Sequence, residues 1–180
     1  MPDATHFEVL GLPRRFVVDP HEVEANYLRQ SREVHPDYHQ LGAASEQRAS
    51  LELTARLNEA YRVLRDPFRR AEYLLEVEGG PSAAAHREMS PAFLEEMLEL
   101  RMQIEELRQE GARSSAALDA LESQLQGRRE RLVDDLAGRF AQFEPLAPGD
   151  VRRVAVLRQV RELLNTARYI QGLLRDLRAE

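Results

Sequence analysis

The sequence predicts an all-α protein, and three observations carry that expectation. Apolar residues recur three and four positions apart along nearly the whole chain, the period of amphipathic helices. Aromatic residues make up only 6% of the 180 residues, and β-branched runs, which favour strands, are few. Proline and glycine stand where the periodic stretches begin and end, as helix start and stop signals do.

Thr5 to Leu10 makes a short first helix that stops at Gly11 and Pro13. A second opens behind Asp19-Pro20, an N-cap followed by proline at the first helical position, with Val23, Tyr27, Ser31 and Val34 on one face. It must end near His35, because Pro36 disfavours helical geometry in the residue before it. After a polar loop around Gly42, a third helix sets Leu53, Leu57, Ala60, Tyr61 and Leu64 on one side. Asp66-Pro67 starts a fourth, with Ala71, Leu74 and Leu75 facing inward. The stretch Gly79-Gly80-Pro81 reads as a linker or turn. Ser90-Pro91 then opens a fifth helix, whose seam is Phe93, Met97, Leu100, Ile104 and Leu107. The chain turns back near Gly111. A sixth helix carries Leu118, Leu121, Leu125, Leu132, Leu136 and Phe140. The last, after Pro148-Gly149-Asp150, carries Leu157, Val160, Leu164, Ala167, Leu174 and Leu177. Three long helices with short connections imply an antiparallel three-helix bundle.

Composition narrows the chemistry. With 43% hydrophobic and 31% charged residues, the chain has material for one sizeable core or two small ones. Lysine is absent, so all 25 basic residues are arginine, which removes Schiff-base chemistry and the lysine of a phosphate-binding loop. Cysteine is absent too, which excludes disulfides, a thiol nucleophile and thiolate ligation of zinc or an iron–sulfur cluster. A formal net charge of −6 gives no chain-wide cationic field for nucleic acid. The longest unbroken apolar run, Val154 to Leu157, is far short of a membrane span, and MPDATHFEVL lacks the character of a signal peptide. The expectation is a soluble, cytoplasmic protein with no nucleic-acid or membrane partner and no cofactor.

The most informative residues are His35-Pro36-Asp37, between one amphipathic helix and a polar loop. Proline fixes a sharp exit and leaves an imidazole and a carboxylate on a turn. Asp37 is an acceptor that a partner's arginine could hold through two parallel hydrogen bonds, so the tripeptide suits a protein contact. The bland reading is a polar helix exit in which Asp37 caps the segment after it. Another is metal chemistry, since His35, Asp37 and His39 are all ligand types and could serve a metal-dependent hydrolase; no second cluster completes the ligand set.

Around this tripeptide the chain resembles J-domain co-chaperones, and more closely the HscB family of iron–sulfur assembly co-chaperones. The resemblance rests on Phe7-Glu8-Val9-Leu10-Gly11-Leu12-Pro13, His35-Pro36-Asp37, Asn58-Glu59-Ala60-Tyr61, Leu64-Arg65-Asp66-Pro67, Arg70-Ala71-Glu72-Tyr73-Leu74-Leu75, Phe93-Leu94 and Leu98-Glu99-Leu100-Arg101. It implies a J-domain over 1–80, a helical hairpin with short flanking helices, then a linker over 81–89 and a three-helix scaffold-binding domain over 90–180. It also implies that His35, Pro36 and Asp37, with Arg29 and Arg32 of the preceding helix, dock on an HscA-type heat-shock ATPase and accelerate its ATP hydrolysis. The chain itself would then be no enzyme. Val34 stands where the J-domain pattern is usually aromatic and Tyr38 where it is usually lysine, while Glu22, Glu24 and Glu33 offset the two arginines.

On the fifth helix, Leu94, Leu98 and Met102 lie roughly 100° to 180° from the centre of the seam, taking about 100° per residue. Glu95, Glu99 and Glu106 flank them, so an apolar strip with an acidic edge faces away from the bundle. The resemblance implies that this face binds an IscU-type iron–sulfur scaffold through Leu94, Leu98, Glu99, Met102 and Glu106, with Val156 on the last helix. Glu95 and Met102 stand where the family often has an apolar and an acidic residue, and Val156 where a larger aromatic occurs. The alternatives are packing of Leu94 and Leu98 under the first domain or its linker, and a J-protein serving a different client. His6, His21 and His86 are isolated, and Arg128-Arg129 and Arg152-Arg153 read as ion-paired, solvated faces. Tyr27 and Tyr61 are expected in the core.

Overall fold

The computed structural model describes residues 4–34, 44–109 and 115–178. Among them are seven helices and no strand: α1 (His6–Leu10), α2 (Pro20–Glu33), α3 (Ala44–Leu64), α4 (Pro67–Val77), α5 (Pro91–Gln109), α6 (Ser115–Phe143) and α7 (Val151–Arg178). The all-α expectation holds. The chain forms two compact units, Met1–Leu74 and Leu75–Glu180.

In the first unit, Thr5 and Glu8 close a capping box on α1: Glu8 N–H donates to Thr5 Oγ1 at 3.3 Å and Thr5 N–H to Glu8 Oε2 at 2.7 Å. Gly11, at φ 64°, ends the helix in the left-handed conformation that glycine adopts without strain. Helices α2 and α3 form an antiparallel hairpin. Tyr27 stacks on Tyr61 with ring centroids 4.2 Å apart, and Ser50, at the other end of α3, meets Val34 at the end of α2. Phe7, Leu10, Phe16, Val23, Leu57, Ala60 and Leu64 fill the core. The two tyrosines expected there are half-buried, because Tyr27 Oη reaches out to donate to Asn58 Oδ1 at 2.8 Å. Leu53 corrects the expectation more sharply: it is 50% exposed. The inner row of α3 runs through Ser50, Thr54, Leu57, Tyr61 and Leu64, spaced four, three, four and three. Its first members are polar because they bind a helix end, so the apolar pattern selected the wrong residue.

The second unit begins in the last turn of α4. Gly79, at φ 74°, places its N–H 3.0 Å from Glu76 O and that of Gly80 2.8 Å from Leu75 O, the paired bonds of a Schellman cap. The Gly-Gly-Pro stretch is therefore a helix stop. The segment after it is fastened to α7, with Arg161 Nε donating to Pro81 O and Asn165 Nδ2 to His86 O, both at 2.9 Å. Arg161 and Asn165 are 2% and 7% exposed, polar residues buried because each satisfies a backbone carbonyl.

Helix α6 packs on α7, and α5 packs on both. Arg178 reaches back to Glu122 and Arg153 lies over Phe143, so α6 and α7 run antiparallel. Phe93 meets Tyr169 and Arg101 meets Asp176, so α5 and α7 run the same way, as in an up-down-up bundle. The seam of α5 is as expected: Met97 and Ile104 are buried, and Phe93, Leu100 and Leu107 half-buried. Leu121, Leu125, Leu132, Leu136 and Phe140 of α6 meet Leu157, Val160, Leu164 and Leu174 of α7 in the core.

Candidate partner-binding surfaces

The first surface is the far end of α2. Asp19 caps the start, accepting from His21 N–H at 2.9 Å, with Pro20 at the first helical position. Asn26 anchors the middle by donating to Leu10 O at 3.0 Å from a site 8% exposed. The last described residue, Val34, has its carbonyl held from α3 by Ser50 Oγ at 2.8 Å and Thr54 Oγ1 at 3.3 Å. That carbonyl belongs to the group a helix leaves without a partner at its C-terminus, and two hydroxyls on the neighbouring helix satisfy it and hold the end of α2. Sequence reasoning missed both hydroxyls; the only signal was a polar residue in register with the apolar row of α3. Arg29 and Arg32 are exposed one turn apart on α2, beside Leu28, which is 47% exposed. His35, Pro36 and Asp37, and with them His39, lie outside the described residues.

The second surface is on α5. Leu94, Leu98 and Met102 are 42%, 59% and 56% exposed, whereas Met97 and Ile104 on the opposite face are 5% and 2%. Helical spacing accounts for the contrast: 97 and 104 share one line, and 94, 98 and 102 another, turned away from α6 and α7. Glu95, Glu99 and Glu106 are exposed along one edge. Glu96 is not part of that edge, since Arg128 Nη2 donates to its Oε2 at 3.0 Å. That bond holds the Glu96 carboxyl below the usual carboxylate range. Val156, expected with this surface, is 8% exposed, and its neighbour Val154 is 56% exposed; a docking protein would meet little of the Val156 side chain.

Elsewhere several arginines are tied into ion pairs. Arg153 bonds Glu78 at 2.7 Å and lies 3.9 Å from the centroid of Phe143. The Arg152 guanidinium bonds Asp150 at 2.6 Å, and this bond together with a second from the Arg152 backbone N–H holds Asp150 down to about 2. Among the described residues no three histidine or carboxylate side chains converge as metal ligands, and no helix is long and apolar enough to cross a membrane.

Comparison with known proteins covers both units. The DnaJ domain profile matches residues 5–73 and the HSCB C-terminal oligomerisation domain profile residues 89–178. A co-chaperone protein HscB homolog of Ralstonia nicotianae is 35% identical over 173 residues, covering 96% of this chain and 91% of the relative. One of Bordetella pertussis is 38% identical over 133 residues, 73% of this chain and 76% of the relative. Among solved structures, the chaperone HscB from Vibrio cholerae superposes with a TM-score of 0.80 at 25% identity, over 97% of this chain and 96% of that one. Human co-chaperone HscB gives 0.79 at 25% identity, over 99% and 82%. With a DnaJ domain followed by an HSCB C-terminal domain, the chain belongs to the HscB family, which consists of J-domain co-chaperones of iron–sulfur cluster assembly and not of enzymes.

Proposed function

We propose that the protein stimulates the ATPase of an HscA/DnaK-type chaperone and delivers an IscU-type iron–sulfur scaffold to it. The observation that carries this reading is the exposure of Leu94, Leu98 and Met102 on a helix whose other face is core. Removing such an acid-edged apolar strip from water favours a partner, and the bundle itself does not use it.

The J-domain, assigned to 1–80, supplies the other contact. Ser50 and Thr54 hold the end of α2, Arg29 and Arg32 stand exposed in its last two turns, and His35-Pro36-Asp37 come directly after it in the sequence. A contact made there promotes hydrolysis on the chaperone, while the domain assigned to 90–180, after the 81–89 segment, holds the scaffold nearby and raises its effective concentration. The test is steady-state ATPase of the chaperone with and without this protein and scaffold. His35→Gln should abolish stimulation with the helical circular dichroism unchanged, since an imidazole in a polar stretch of sequence contributes little to a core. Full stimulation by that variant would refute the reading.

A further inference from the structure

On the second unit, a groove of about 560 Å³ runs between the 83–87 segment, α5 and α7. Four arginines line it, Arg87, Arg101, Arg168 and Arg175, and no acidic residue does. Arg101 is engaged by Asp176 at 2.9 Å. Arg87, Arg168 and Arg175 are exposed and have no carboxylate partner among the described residues. With Arg101 they make a cluster of guanidinium groups whose lining holds no acid, in a chain of net charge −6. The floor is built for access. Asn165, Arg168, Gly172 and Arg175 are spaced three, four and three along one face of α7, and a Cβ at Gly172 would meet no atom within 4 Å. Tyr169, 44% exposed, stands at the side, its ring braced edge-on by Phe93 at 5.6 Å.

We propose that this groove receives a segment of the client protein bearing two or more carboxylates. The inference rests on the reading of α5 as the client-docking helix: Arg101, on the groove wall, is one turn beyond Leu98 of the stripe, so one partner can cover both. Arg168 and Arg175 are about 10 Å apart along the axis of α7, at 1.5 Å per residue, a spacing that suits charges spread along a polypeptide. Guanidinium groups grip carboxylates through paired hydrogen bonds, so the groove adds register to the apolar contact. Nucleic acid is disfavoured by the overall negative charge and by the glutamates on the same helix. The client would thus meet acid on one side of the stripe and base on the other, which fixes its orientation.

The test uses the full chain and an IscU-type scaffold, titrated calorimetrically at several salt concentrations. Replacing Arg168 and Arg175 together with glutamine should weaken binding about tenfold at low salt and flatten its salt dependence, and the paired Arg→Lys variant should recover most of the affinity. An acidic octapeptide of glutamate should compete, and an eight-nucleotide single-stranded DNA should not. If the glutamine variant binds with unchanged affinity and salt dependence while Leu94→Ala/Leu98→Ala weakens binding, the groove proposal is overturned and the stripe stands. If the stripe variant also binds normally, the client-docking reading itself falls. Preferential competition by the DNA would overturn the assignment to a protein segment.

Discussion

Replacing Leu94 and Leu98 together with alanine separates a docking surface from a packing surface. The two side chains leave 42% and 59% of their surface in water, together about one leucine's worth. Covering one leucine fully stabilises by about 1.5–3 kcal/mol, so losing both should weaken scaffold binding by about 10- to 150-fold. Stability should hardly change, because neither residue fills the seam. Ile104→Ala is the control: this side chain is 2% exposed, and a cavity at such a site costs about 2–5 kcal/mol. The assay pairs calorimetric titration of scaffold with urea denaturation of each variant. The reasoning fails if the double variant loses stability as Ile104→Ala does while its folded fraction binds scaffold with wild-type affinity. Leu94 and Leu98 would then be packing residues, and the client would dock elsewhere.

Three further outcomes are expected. Ser50→Ala removes the 2.8 Å bond to the Val34 carbonyl and should lower stability in urea by about 0.5–1.5 kcal/mol, with faster amide exchange at the end of α2; unchanged exchange there would show that Thr54 alone holds the exit. Asp150, held down to about 2 against an ordinary 3.8 by its contact with Arg152, stabilises the fold fully above pH 3.8 and loses that contribution as pH falls toward 2. The stability difference between wild type and Asp150→Asn should therefore close over that window, and a constant difference across it would refute the linkage. A fragment ending at Gly80 keeps the Gly79–Gly80 cap on α4 and should remain helical, stimulating the chaperone at high concentration without response to scaffold; an unfolded fragment would refute the independence of the first domain.

How far the sequence determined this protein depends on which interactions are local. Helix starts were legible because their signals are adjacent in sequence: Asp19 before Pro20, Asp66 before Pro67, Ser90 before Pro91. The α5 seam and its exposed counterpart were legible because helical periodicity alone separates Met97 and Ile104 from Leu94 and Leu98. The family was legible in the ordered set of motifs. Tertiary structure decided the features that depend on residues distant in sequence. Leu53 was expected inside and is exposed, since the face of α3 is set by α2, which requires a hydroxyl at Ser50 to hold the Val34 carbonyl. Arg161 and Asn165 looked like ordinary polar positions of α7; they are buried because carbonyls of the 81–86 segment lie against them. Arg87, Arg168 and Arg175 form one cationic groove only once the segment before α5 folds beside α7. Periodicity reports which face of a helix is apolar, and the partner packed against that face decides which polar residues join it.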